Sequence, residues 1–169
     1  QHSYEVMECI GGSGVMETSL FPRLYREAVI NPIWEGSGNV QCLDVLRTIV
    51  REPQAAEAFV QEVEVARGQN TAYDAALEAL AKQLAQLPKQ MMNDSEGAQF
   101  GARRLVEQMA LVFQGSLLLQ FAPQSIGDAW AATRLGATGG FHYGGLQDPV
   151  AVKELLDRAD PAIMCSAAS

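Results

Sequence analysis

The chain has 169 residues, 48% of them apolar and 19% charged, with a net charge of −8 from twelve Lys and Arg against twenty Asp and Glu. This balance excludes a disordered chain and leaves room for one good-sized domain or two small helical ones. It also disfavours nucleic acid as a partner, because a phosphate backbone attracts clustered cations. The longest apolar stretch, residues 109–122, carries Gln114 and Gln120 and falls short of the roughly 18–20 residues that span a bilayer.

The first third is glycine-rich. Residues 4–10 read as the tail of a helix stopped by Gly11-Gly12-Ser13-Gly14, a breaker run of the kind that ends helices. A short helix is expected over 20–29, with Leu20, Leu24 and Ala28 on one face and Asn31-Pro32 as its break. Residues 40–50 then set Val40, Leu43, Leu46 and Val50 at helical spacing. Ser37 or Asn39 is placed to cap that helix. Pro53 forces a break, and the domain boundary is expected there, giving units 1–52 and 53–169.

Beyond Pro53 every segment reads as helix. Ala56, Phe59, Val60 and Val63 share a face. Thr71 and Asp74 have the form of a capping box. They open a helix whose Tyr73, Ala76, Leu77, Leu80, Leu84 and Leu87 form a bundle seam, with Pro88 as its expected end. One long helix is expected over 97–122, its core face made by Leu105, Met109, Val112, Phe113, Ser116 and Leu119, and it should be the most buried element. Ser125 and Asp128 form a second capping pair before Trp130 and Leu135, with Gly136 just past the end. Asp148-Pro149 reads as an N-cap followed by a first-turn proline, leading into Val152, Leu155 and Leu156. No two alternating β-patterned runs face each other, so the expected class is all-α, a helical bundle.

Cys9, Cys42 and Cys165 are widely spaced and odd in number, and only His2 and His142 accompany them. That composition disfavours a zinc site and fits reduced, cytoplasmic thiols. His142 lies in a loop with five glycines in residues 136–145. Without a paired carboxylate or thiol nearby it reads as an ordinary loop residue.

Neither glycine cluster is a dinucleotide fingerprint: Glu17 and Gln41 stand where the third glycine of GxGxxG belongs, and no strand precedes either. Residues 34–39 carry more chemistry. Glu35 sits between Trp34 and Gly36 on a loop entering a helix. A carboxylate packed against an indole is desolvated, which raises its pKa towards the range of a general base. Gly36 lets a planar ligand approach the backbone, and Ser37, Gly38 and Asn39 offer amides and short polar side chains at a helix N-terminus suited to a phosphate-bearing cofactor. A plain helix-capping loop is the competing reading.

Three stretches, Glu8-Cys9-Ile10-Gly11-Gly12-Ser13-Gly14, Pro22-Arg23-Leu24-Tyr25-Arg26-Glu27 and Ile33-Trp34-Glu35-Gly36-Ser37-Gly38-Asn39, resemble in order and spacing the last part of an acyl-CoA dehydrogenase. Their variants, running into Cys42-Leu43-Asp44-Val45-Leu46-Arg47, are most similar to the AidB branch, which carries an extra helical domain after the usual terminus. The resemblance is sharp over residues 1–51 and architectural beyond. It implies a C-terminal fragment: residues 1–52 end the flavin-binding bundle, and 53–169 are the appended domain.

For the whole protein the resemblance implies FAD, an acyl-CoA substrate and a homo-oligomer, a tetramer in the family. Glu35 would remove the pro-R α-proton of the thioester while flavin takes a β-hydride. The backbone N–H of Glu35, with a flavin ribityl hydroxyl, would polarise the thioester carbonyl. Ser37 and Asn39 match cofactor-contacting positions. Gly11 and Gly12 match backbone that approaches the FAD of a neighbouring subunit. Glu8 stands where the family has Gln and Val15 where it has Tyr, departures on the cofactor side. Arg23 and Arg26 are expected to pair with acidic groups.

Two other readings compete. One is a DNA-associated protein of the alkylation-stress response, with little dehydrogenase activity. Against it, residues 53–169 hold eight basic and thirteen acidic residues, and among the basic ones only Arg103 and Arg104 are adjacent. The other makes 53–169 an oligomerisation domain using apolar helix faces across a subunit interface, and for that domain it is the preferred reading.

Overall fold

The computed structural model describes residues 2–136, 144–146 and 148–160. Among them lie nine α-helices and no strand: α1 (His2–Ile10), α2 (Phe21–Ile30), α3 (Gly38–Arg51), α4 (Pro53–Glu64), α5 (Thr71–Asn93), α6 (Ser95–Phe100), α7 (Ala102–Phe121), α8 (Gln124–Trp130) and α9 (Pro149–Ala159). A 3-10 turn, Gly11–Val15, follows α1, and a π-helical turn, Ala131–Leu135, prolongs α8. The all-α expectation holds. No helix among the described residues is long and apolar enough to cross a membrane.

The core is built around α7, which packs on α3, α4, α5 and α8. Leu105, Val112, Ser116 and Leu119 of α7 are buried, as are Tyr73, Leu77, Leu80, Leu84 and Leu87 of α5. Both seams follow the spacing of the sequence. Val63 closes one side from α4, with Phe59 and Val60 half-buried beside it. The ring of Phe59 lies 6.3 Å from that of Phe113. Gly127 brings α8 close to α7: a Cβ there would stand 2.8 Å from Leu119 Cδ2 and 3.3 Å from Leu119 Cα.

Helix α3 belongs to this core. It buries Leu46 and Ile49 and packs on α7, α4 and α5. The expected boundary near Pro53 falls in the tight turn at Glu52 between α3 and α4, and the packing runs across it. By contrast α1, the 3-10 turn and α2 pack mainly on one another. Leu20 and Leu24, expected on a packed face, are 57% and 54% exposed.

Several local expectations need correction. Helix α5 runs through Pro88 to Asn93. A mid-helix proline costs about 3 kcal/mol, but Leu84 and Leu87 before it and Met91 after it all pack on the core, and their burial outweighs that cost. The single helix expected over 97–122 divides at Gly101 into α6 and α7, and Phe113 is 39% exposed. Asn70, one residue before Thr71, caps α5 by accepting from the Ala72 and Tyr73 amides. Asp74 accepts instead from the Gly68 amide at 2.9 Å. Asp128 likewise caps nothing: its Oδ1 accepts from Asn70 Nδ2 at 2.7 Å, tying α8 to the start of α5. Asp148 does cap α9, accepting from the Val150 amide. His142 lies outside the described residues.

Polar contacts also cross the core. The buried Tyr73 hydroxyl donates to the Val63 carbonyl at 2.6 Å. Burial pushes the Tyr73 phenol up from its ordinary value, with the Ser116 hydroxyl pulling the other way. A raised folded pKa means that this stabilisation is complete below the unfolded value of about 10 and is lost as pH rises through the folded one. Tyr73→Phe should therefore cost about 0.5–1.5 kcal/mol in urea unfolding at neutral pH. It should also flatten the fall in stability above about pH 10.

Candidate functional site

Helix α2 ends at Asn31, and the chain turns through residues 31–36 into α3. The Ile33 and Trp34 amides both donate to the Ile30 carbonyl, at 3.0 and 3.1 Å. Glu35 follows with φ +63°, the single non-glycine residue with positive φ among the described residues. That region costs an L residue roughly 1–2 kcal/mol. Gly36 continues at φ +118°, where only glycine sits easily. Space is not the constraint, since a Cβ on Gly36 would meet Val40 Cγ1 at an ordinary 3.7 Å. The paired positive φ values reverse the chain so that Ser37, in extended conformation, leads into α3.

Glu35 is exposed, and among the described residues neither its carboxylate nor its backbone N–H is hydrogen-bonded or ion-paired. The expected desolvation by Trp34 is not provided here, because the indole is itself 57% exposed. Among the described residues nothing buries this carboxylate.

Ser37 occupies the N-cap position of α3, yet its side chain makes no capping hydrogen bond. Its hydroxyl and the exposed Asn39 side chain are thus available at the N-terminus of a 14-residue helix, where a phosphate is favoured. Gly11 and Gly12 are exposed, and a Cβ on either would meet nothing within 4 Å. All four offer bare backbone or uncapped polar groups at the surface, and among the described residues they enclose no site. Glu8 and Val15 are exposed too, Val15 at 68%. Arg26 pairs in bidentate fashion with Glu17, at 2.7 and 3.2 Å. No ion pair involves Arg23 among the described residues. No metal-binding cluster occurs among those residues either.

One residue of the site escaped the sequence reading. Gln41 Nε2 donates to the Gly36 carbonyl at 3.0 Å and reaches the Trp34 carbonyl at 3.5 Å. Its only signal in the sequence is a long amide side chain in the first turn of the helix behind the Glu-Gly pair.

The backbone strain at Glu35 has a measurable consequence. Glu35→Gly should leave stability unchanged or raise it by up to about 1 kcal/mol, as strain relief exceeds the entropy cost of glycine. Glu35→Val, β-branched at positive φ, should lower it by about 1–2 kcal/mol in urea unfolding.

Comparison with known proteins places the turn within a recognised domain. Residues 3–50 match the family description "Acyl-CoA dehydrogenase, C-terminal domain". The chain is 36% identical over 140 residues to the putative acyl-CoA dehydrogenase AidB of Escherichia coli (strain K12), covering 80% of this chain and 23% of that one. It is 36% identical over 132 residues to acyl-CoA dehydrogenase family member 11 of Caenorhabditis elegans, covering 72% and 21%. The chain thus spans less than a quarter of the length of these curated relatives. An alignment of 140 residues cannot fit within 1–52, so the likeness extends well into the helices after Pro53. On these matches the chain belongs to the acyl-CoA dehydrogenase family, its first third being part of that family's C-terminal domain.

Proposed function

We propose that this chain supplies the base-bearing loop and part of the cofactor rim of a flavin-dependent acyl-CoA dehydrogenase, with Glu35 as the general base. The observation that carries this reading is the Glu35 turn: a strained, left-handed residue whose carboxylate and N–H are both uncommitted among the described residues. Strain of this kind is kept where function requires it. Glu35 then accepts the α-proton of an acyl-CoA thioester, and its backbone N–H donates to the thioester carbonyl, stabilising the charge that develops as the proton leaves. The flavin, when bound, supplies the acceptor for the β-hydride. Ser37 and Asn39, at the N-terminus of α3, would hold phosphate or polar groups of the cofactor, and Gly11 and Gly12 would line it with backbone.

In this reading residues 1–52 close the flavin-binding bundle and 53–169 form the appended helical domain, α3 being shared by both. Exposed apolar surface supports it. Twelve of the twenty large hydrophobic residues exposed among the described ones lie in residues 4–40, Trp34, Leu20 and Leu24 among them. A surface of that character is normally covered by other protein, here the remainder of the bundle and neighbouring subunits of a homo-oligomer.

Two measurements test the reading. In the flavin-loaded protein at the full length of its relatives, Glu35→Gln should retain flavin while slowing its reduction by acyl-CoA about 10²–10⁴-fold, followed by stopped-flow absorbance. An unchanged rate would remove Glu35 as the base. The 169-residue chain alone is expected to bind no stoichiometric flavin, because its candidate cofactor residues lie exposed and the rest of the pocket would come from other parts of the full-length protein.

A further inference from the structure

Gln41 links the strained turn to the core. Its backbone lies in the first turn of α3, its amide donating to the Ser37 carbonyl at 3.2 Å. That helix is anchored through Leu46 and Ile49, 1% and 4% exposed. From this fixed base the Gln41 side chain folds back over the helix N-terminus, and Nε2 donates to the Gly36 carbonyl at 3.0 Å. The same nitrogen reaches the Trp34 carbonyl at 3.5 Å. The two carbonyls flank Glu35 in the chain. Turn hydrogen bonds hold the entry, at Ile33 and Trp34, but among the described residues no other side chain fastens the Gly36 side, where glycine at φ +118° leaves the backbone free of a Cβ.

We propose that Gln41 is a positioning residue, clamping the Trp34-Glu35-Gly36 turn to α3 and so fixing the direction of the Glu35 carboxylate and N–H. The proposal rests on the reading of Glu35 as base for its catalytic consequence, though not for the clamp itself. A side chain held on two sides loses little freedom on reaching its transition-state geometry, and small displacements of a base are costly to rate. Gln41 touches no reacting atom. It acts through the two carbonyls.

The test compares the ¹⁵N-labelled chain with Gln41→Met, of similar reach but without a donor, and Gln41→Lys, which restores one. Amide exchange at Ile33 and Trp34, whose hydrogen bonds close the entry of the turn, should quicken about two- to tenfold in Gln41→Met, the loss expected of one exposed hydrogen bond. It should return towards wild type in Gln41→Lys. The strong intraresidue Hα–HN NOE of a left-handed Glu35 should weaken in Gln41→Met alone. Equal exchange in wild type and Gln41→Met, or equal acceleration in both variants, would overturn the clamp. In the full-length flavin-loaded protein, Gln41→Met should lower the flavin reduction rate at saturating acyl-CoA by a similar factor and leave bound flavin intact. Faster exchange in Gln41→Met combined with an unaffected rate in Glu35→Gln would remove the base assignment and leave the clamp standing.

Discussion

The seating of α3 on α7 is the contact on which the rest of the arrangement depends. Leu46 and Ile49 are almost wholly withdrawn from water, and burying two such side chains is worth about 3–6 kcal/mol relative to leaving them exposed. The exposed ion pairs of the same region do not approach that. The Arg26–Glu17 and Arg47–Asp44 pairs have both partners more than half exposed, and such pairs contribute at most about 1 kcal/mol. A helix fixed from within can carry a loop at its exposed N-terminus without that loop having a core of its own. Glu35, Gly36 and Ser37 occupy that position.

The two parts of the chain differ in how they spend their apolar residues. From α3 to α8 the helical seams close on one another, with Tyr73 filling the centre and giving its hydroxyl a buried partner. In α1, the 3-10 turn and α2 the same classes of side chain face outwards. Helix α2 is amphipathic in sequence, but its Leu24, Val29 and Ile30 remain exposed among the described residues. This is the physical ground for reading the first segment as one that packs against other protein, and it accords with relatives of which the chain spans less than a quarter.

The clamp by Gln41 shows how tertiary anchoring becomes local geometry. A glutamate at positive φ is held against its intrinsic preference, and such a conformation persists only when its surroundings over-determine it. The turn supplies two hydrogen bonds on the entry side, and Gln41 supplies the attachment to α3.

Much of this protein was legible from residues alone. The class, the seam of α5, the core face of α7 and the Asp148 cap all follow from the 3.6-residue period and from side chains that can accept from a free N–H. The triplet Trp34-Glu35-Gly36 stood out because a carboxylate beside glycine at a helix entrance is an unusual combination. The sequence did not decide what depends on neighbours distant along the chain. Pro88 sits inside a helix because Leu84 and Leu87 before it are buried and Met91 after it packs, partly buried, on the same core. Asp128 serves Asn70 across 58 residues and caps no helix. Helix α3 joins the core of the helices that follow it because Leu46 and Ile49 meet α7, although a proline marks the junction in sequence. Trp34 does not bury Glu35, because adjacency in sequence places two side chains on one loop without supplying the third surface that excludes water. Local rules fix where hydrogen bonds and apolar stripes begin and end, and only the packed chain determines which groups lose their solvent.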